Sequence, residues 1–118
     1  MATTTIQTCT HSIYIDWEDT LLIDGKINPQ MIQLIYQVKN QGKRLYLFKP
    51  DSVDISDYYI STDLFDGVYS DGTETKIDMI HESALLIDDS FEVRKAAHEK
   101  GIKVFDVDAI ESLVDWRM

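Results

Sequence analysis

Residues 12–23, with the sequence SIYIDWEDTLLI, decide the fold that the rest of the chain is predicted to adopt. The apolar run at 13–15 predicts a short buried strand, and Asp16 stands at its end with Glu18 two residues later. Neighbouring carboxylates repel each other unless a cation or a proton lies among them, and open α/β sheets carry their chemistry at strand carboxyl ends. The site hypothesis therefore begins at Asp16.

Apolar strands and helical patterns alternate along the remaining sequence. Asn28 followed by Pro29 is typical of a helix N-cap and first helical position, and Gly42 indicates where that helix ends. Further segments are predicted as strands at 45–48, 65–69, 84–87 and 104–105, as helices at 76–82, 91–101 and 108–114, and as a short helix at 55–59. This alternation predicts an α/β fold with a doubly wound, parallel, five-stranded, Rossmann-like sheet covered on both faces.

The size and composition favour one folded domain. The chain has 118 residues, of which 44% are hydrophobic, and this is enough for a single core. We predict a flexible N-terminal tail at residues 1–11 and a single α/β domain at residues 12–118. Since the formal net charge is −10, a nucleic acid or an anionic membrane is disfavoured as an electrostatic partner.

The sequence also bears on the compartment. Cys9 is the only cysteine, so the chain cannot form an internal disulfide. No stretch approaches the roughly 18–20 apolar residues of a membrane span, and the N-terminal residues lack the regions of a signal peptide. We therefore expect a cytoplasmic protein, and the sequence leaves open whether it forms a homo-oligomer.

Charged side chains follow three of the predicted strands. Because parallel strands place their carboxyl ends at one edge of the sheet, residues that are distant in sequence can converge there. The residues concerned are Asp16 and Glu18 after the first strand, Lys49 after the second, and Asp88 with Asp89 after the fourth. Two acidic clusters at one edge would suit Mg²⁺, and Lys76 could bring a positive charge to the same edge for an anion.

These motifs resemble those of the haloacid dehalogenase (HAD) superfamily. The resemblance covers residues from about 12 to the C-terminus and is carried in order by DWEDTL at 16–21, by Lys76, and by LLIDDS at 85–90 followed by Arg94, Ala97 and Gly101. It implies a phosphatase that forms an aspartyl-phosphate and uses Mg²⁺ as its cofactor. No insertion is long enough for a cap domain, which implies an open site for a phosphorylated substrate or a site that a protein partner covers.

The resemblance also implies a role for each motif residue. Asp16 would be the nucleophile, and Lys76 would steady the charge of the nucleophile and the phosphate. Asp88 and Asp89 would hold magnesium together with Asp16. Glu18 would be the general acid and base, and its main-chain carbonyl would be a further metal ligand.

Three positions leave alternatives open. Glu18 stands where the family usually has Asp, and a displacement of about an ångström can cost about 100-fold in rate. Lys49 stands where the family usually has Ser or Thr, and it could bind phosphate as a point charge or form an ion pair with Asp16. Trp17 could line the rim of a pocket, although ordinary packing is the preferred interpretation.

Two main hypotheses for function follow. The first is a magnesium-dependent phosphohydrolase, and the second is a non-catalytic binding or regulatory module in which Glu18 and Lys49 have removed the chemistry. A receiver-type phosphoacceptor is disfavoured, because that fold places its pair of acids after the first strand, whereas the pair at 88–89 follows the fourth.

Overall fold

The computed structural model describes residues 11–80 and 84–113, without the side chains of residues 73–75, 111 and 112. The predicted tail therefore lies outside the described residues except for His11, as do the last residues of the helices predicted at 76–82 and 108–114. The strands are β1 (Ser12–Asp16), β2 (Leu22–Ile23), β3 (Lys26–Ile27), β4 (Arg44–Lys49), β5 (Gly67–Ser70), β6 (Ala84–Ile87) and β7 (Lys103–Phe105). The helices are α1 (Pro29–Asn40), α2 (Thr73–Met79), α3 (Phe91–Glu99) and α4 (Ile110–Leu113), with 3-10 turns at Ile55–Tyr58, Thr62–Leu64 and Val107–Ala109.

Five strands form one parallel sheet in the order β5-β4-β1-β6-β7. The central strand β1 pairs in parallel with β4, where Asp16 is opposite Phe48, and with β6, where Ile15 is opposite Ile87. The order of the strands reverses at β1, because β4 and β5 lie on one side of it and β6 and β7 on the other. The α/β doubly wound fold is confirmed, and its topological switch point lies between β1 and β6, where such sheets bind ligands.

Helix α1 shows the predicted start and end signals. The side chain of Asn28 accepts a hydrogen bond from the backbone N–H of Gln30, and Pro29 occupies the first helical position. Gly42 lies just beyond the helix with a φ of +73°, a conformation that favours glycine. The buried side of the helix carries Met31, Leu34, Ile35 and Val38.

A small hairpin follows β1 where the sequence indicated only an acidic loop. Strands β2 and β3 pair antiparallel, and Asp24 and Gly25 connect them with φ values of +53° and +76°. Positive φ at both central residues is typical of the two-residue turn that Asp-Gly favours. The hairpin is short, so the chain passes from β1 to α1 without room for a cap domain.

The core has two parts, one on each face of the sheet. Ile13 and Ile15 of β1 pack on the face covered by α1, and Trp17 belongs to this cluster with no exposed surface. The Trp17 ring meets Tyr58 edge to face at 5.1 Å, so the structure places it in the core and not at a pocket rim. Tyr14 packs on the opposite face with Phe48 and side chains of α3. Because side chains alternate along a strand, Asp16 belongs to the same face as Tyr14.

Candidate functional site

An ammonium group joins two carboxylates at the switch point of the sheet. Asp16 is the last residue of β1, Asp88 directly follows β6, and Lys76 projects from α2. The Lys76 Nζ lies 2.8 Å from Asp16 Oδ1 and 2.7 Å from Asp88 Oδ2. Since all three residues are at most 4% exposed, this is a buried ion-pair cluster and not a surface salt bridge.

The surroundings of Lys76 explain why its charge is tolerated inside the protein. Helix α2 follows β5 and lies on the same face of the sheet as Asp16, so Lys76 extends from that face over the carboxyl ends of the strands. Its ammonium also lies 5.8 Å from the centre of the Phe48 ring, within the range of a cation–π contact. Burial alone would lower the pKa of Lys76, but its hydrogen bonds and attraction to Asp16 and Asp88 outweigh burial and raise it. Lys76 therefore remains charged.

The acidic loop after β6 is fixed by hydrogen bonds on both sides. Asp88 Oδ1 accepts a hydrogen bond from the backbone N–H of Ser90 at 2.9 Å, and Ser90 caps α3. The guanidinium of Arg94 donates to the main-chain carbonyls of Asp88 at 3.1 Å and Asp89 at 2.6 Å, and it pairs with Asp106 at 3.6 Å. Arg94 thus positions the loop that carries both acids.

The function of Arg94 does not follow from the motif in which it stands. The available signal was its spacing, four residues after the helix cap at Ser90, which brings an arginine of the first turn back over the preceding loop.

Three carboxylates converge closely enough to hold a metal ion. One ligand oxygen from each of Asp16, Asp88 and Asp89 lies within 4.8 Å of the others. The pKa of Asp16 is raised to about 7, first by burial and then by repulsion from Asp88, although Lys76 acts in the opposite direction. Burial and then Asp88 also raise the pKa of Asp89. One lysine therefore does not offset the three acids, and a hard cation with oxygen ligands fits this set.

Glu18 and Lys49 lie near the same edge of the sheet. Within the described part of the chain, however, their side chains do not take part in the cluster around Asp16. Glu18 is exposed, and its backbone forms a bridge with Leu22 in the tight turn after β1. The ammonium of Lys49 donates to the main-chain carbonyls of Pro50 at 3.2 Å and Val53 at 2.5 Å. The structure therefore brings together Asp16, Lys76, Asp88 and Asp89, and it directs Lys49 toward the loop after β4.

Comparison with known proteins leaves the family open. The chain matches no model of a known protein family and no curated protein.

None of the described helices is long and apolar enough to cross a membrane. The fold and the site together define a doubly wound α/β domain with a buried carboxylate–lysine cluster at its switch point. Its relationship to the haloacid dehalogenases remains a resemblance of motifs.

Proposed function

We propose that this protein is a capless, magnesium-dependent phosphohydrolase of the HAD type, with Asp16 as its nucleophile. The observation that supports this most directly is the Lys76 ammonium, which bridges Asp16 and Asp88 beside Asp89. Such a cluster combines a carboxylate nucleophile, a fixed positive charge and further acids for a cation. These are the groups that phosphoryl transfer through an acyl-phosphate requires.

The proposed reaction has two displacements at phosphorus. A carboxylate oxygen of Asp16 attacks the phosphorus atom while the bond to the ester oxygen breaks, and Glu18, whose exposed side chain must first turn toward the site, gives a proton to the departing alcohol. Glu18 then takes a proton from water as the water attacks the phosphorus of the aspartyl-phosphate. The bond between phosphorus and the Asp16 oxygen breaks, which releases inorganic phosphate and restores both carboxyl groups to their starting forms.

The charges of the site fit this sequence of steps. Asp16 must be ionised to attack, and Lys76 at 2.8 Å already lowers its pKa, which burial and Asp88 nevertheless hold at about 7. A further positive charge would therefore favour the reactive form near neutral pH. Mg²⁺ held by Asp16, Asp88 and Asp89 would supply that charge and would neutralise charge on the phosphoryl oxygens.

The test is phosphate release from p-nitrophenyl phosphate and a broad panel of phosphate esters, with and without Mg²⁺. We expect turnover in the unmodified protein and its loss in Asp16→Asn, which keeps the shape of the side chain but removes the nucleophile. Asp63→Asn is the matched control, because Asp63 is exposed in a 3-10 turn. Absence of turnover on every ester, or equal turnover in Asp16→Asn, would contradict the proposal.

A second candidate is a cation-binding module that lacks catalysis. The observation that favours it is Lys49, whose ammonium binds the carbonyls of Pro50 and Val53 at the position where the family usually has a phosphate-binding hydroxyl. The double variant Glu18→Asp, Lys49→Thr separates the two candidates. A gain of turnover would indicate an enzyme weakened at these positions, whereas Mg²⁺ binding by calorimetry with no turnover in either form would favour the module.

A further inference from the structure

Lys49 leaves the sheet on the face opposite to the nucleophile. It is the last residue of β4 and directly follows Phe48, which is opposite Asp16 in the register of the sheet. Phe48 packs on the face to which Asp16 belongs, whereas Leu47 packs on the face covered by α1. Because side chains alternate along a strand, Lys49 belongs to the face of Leu47. Lys49 is therefore not placed to contact a phosphate on Asp16, and a different role has to account for it.

The ammonium of Lys49 closes the loop that follows β4. It donates to the main-chain carbonyls of Pro50 at 3.2 Å and Val53 at 2.5 Å. The backbone N–H of Val53 also donates to the Pro50 carbonyl, at 3.1 Å, so both carbonyls of this turn accept from the same lysine. Hydrogen bonds from a charged donor are among the stronger ones in proteins. We call this arrangement at residues 49–53 the Lys49 clamp.

The clamped loop leads directly to a ring contact with Trp17. The side chain of Asp54 caps the 3-10 turn Ile55–Tyr58 that follows. Ile55 is buried in the same core cluster as Trp17. The ring of Tyr58, at the end of the turn, meets the Trp17 ring edge to face at 5.1 Å. The segment that the clamp holds thus provides part of the surface against which Trp17 packs.

Trp17 connects the nucleophile to the proposed proton donor. It stands between Asp16 and Glu18, and its side chain is fully buried. Its carbonyl accepts a hydrogen bond from the Leu22 N–H at 2.9 Å, which closes the turn that carries Glu18. Its indole Nε1 has no hydrogen-bond partner among the described residues, so ring contacts such as that with Tyr58 set its orientation. The position of this turn therefore depends on how Trp17 is packed.

We propose that Lys49 is a positioning residue, which clamps the loop after β4, holds Tyr58 against Trp17 and thereby fixes the turn from which Glu18 reaches the site. The consequence for catalysis rests on the proposed function, since it assumes that Glu18 transfers a proton. The packing of Trp17 is measured without turnover. Failure of the clamp and failure of the proposed phosphatase activity therefore give different results.

The first measurement is the hydrogen exchange of the Trp17 indole N–H, followed by NMR, with Trp116→Phe to assign the signals of the 2 tryptophans. Lys49→Met keeps the length of the side chain but removes its donors, so we expect this N–H to exchange about 10-fold faster. Lys49→Arg still has N–H donors for both carbonyls and should keep the exchange rate within about 2-fold. The matched control is Lys95→Met, an exposed lysine of α3, which should also stay within about 2-fold.

Two comparisons test whether the effect is local and passes through the ring contact. The backbone amides of β6 are the internal reference, and their exchange rates should not change in Lys49→Met. Tyr58→Ala should accelerate exchange of the Trp17 indole as Lys49→Met does. The two substitutions together should have no larger effect than Tyr58→Ala alone, because both act through the same contact.

The second measurement concerns the proton that Glu18 is proposed to transfer. It compares kcat/KM, which reflects the first displacement, for p-nitrophenyl phosphate and for glycerol phosphate. An alkoxide leaving group depends on a general acid, which typically contributes about 100-fold or more, whereas p-nitrophenolate leaves readily without one. We expect Lys49→Met to lower kcat/KM about 10-fold for glycerol phosphate and less than about 2-fold for p-nitrophenyl phosphate, and Lys49→Arg to preserve both values.

Several results would overturn the proposal. Unchanged exchange of the Trp17 indole in Lys49→Met would show that the clamp does not reach this ring, and additive effects of Lys49→Met and Tyr58→Ala would show the same. Equally accelerated exchange of the β6 amides would show only a general loss of stability. Equal falls in kcat/KM for the two esters would contradict the link to Glu18. If no form of the protein turns over an ester while the indole responds as expected, the proposed phosphatase activity fails and the clamp stands.

Discussion

Replacing Asp16 with Asn should stabilise the fold at alkaline pH, although Asp16 belongs to a buried ion pair. Burial and repulsion from Asp88 raise its pKa from 3.8 to about 7 in the folded protein. The ionised form is therefore less favourable in the folded state than in the unfolded chain. Asn has nearly the same shape, still offers an oxygen to Lys76 and carries no charge.

The magnitude follows from the difference between the two pKa values, about three pH units at about 1.4 kcal/mol each, or roughly 4 kcal/mol. Part of this gain is offset because a neutral amide accepts a weaker hydrogen bond from Lys76 than a carboxylate does. We therefore expect Asp16→Asn to raise the free energy of unfolding at pH 8 by about 1–3 kcal/mol.

The sign of the pH dependence is specific. Below pH 3.8 Asp16 is protonated in both states and contributes no penalty, whereas between about pH 4 and 7 the folded protein retains a proton that the unfolded chain has lost. The stability that this proton contributes is fully present below pH 3.8 and is lost progressively as the pH rises from there through 7. The unmodified protein should thus lose about 1.4 kcal/mol per pH unit relative to the variant between about pH 4.5 and 6.5.

Urea denaturation followed by tryptophan fluorescence, at intervals from pH 4.5 to 8.5, measures this difference. Asp63→Asn is the control, since an exposed aspartate should give a curve parallel to that of the unmodified protein. Parallel curves for Asp16→Asn as well, or a loss of stability in this variant at pH 8, would refute the reasoning about the buried charge.

Three further substitutions test the packing around the site and the sheet. Lys76→Met removes the ammonium that two buried carboxylates share. It should lower the free energy of unfolding in the same urea assay by about 3–5 kcal/mol at pH 8 and by less at pH 5. An equal loss at both pH values would contradict the charge argument. Arg94→Met removes two charged hydrogen bonds to the acidic loop, so it should weaken Mg²⁺ binding measured by calorimetry. The control Lys95→Met should leave the Mg²⁺ affinity unchanged. Equal affinities in the two variants would count against a positioning role for Arg94. Gly67→Ala would set a Cβ atom 2.5 Å from Tyr69 Oη, and we expect a cost of about 1–3 kcal/mol in thermal unfolding that Tyr69→Leu largely relieves; a neutral Gly67→Ala would show that the ring moves without cost.

The fold could be predicted from the sequence because its signals are local. Four-residue apolar runs such as 84–87 and the Asn28 cap each indicate one element, and their alternation indicates a parallel sheet. The β2–β3 hairpin was missed because strands of two residues are too short to show a period, although the Asp24–Gly25 turn signal was present. The third strand was predicted at 65–69 and lies at Gly67–Ser70, because Phe65 ends the 3-10 turn Thr62–Leu64 and its backbone N–H donates to the Thr62 carbonyl.

The candidate site could be predicted in part for a related reason. The backbone sets the direction of a short side chain at a strand end, such as Asp16 or Asp88. The topology of the sheet alone therefore brings these side chains together. Long side chains do not follow this rule. The direction of the Lys49 side chain depends on the carbonyls of the loop after β4. The hydrogen bonds from Arg94 to the acidic loop depend on the orientation of α3.

The order of the strands also governs when the site can form during synthesis. Strand β1 leaves the ribosome before both of its neighbours in the sheet, β4 and β6, and before the lysine of α2 that neutralises Asp16 in part. Until residues up to 88 have emerged, Asp16 lacks both the neighbouring acid and strand β6 beside it, although Lys76 has already been synthesised, and it remains a hydrated carboxylate. A nascent chain therefore acquires its buried charge cluster late, in the same step that inserts β6 beside β1.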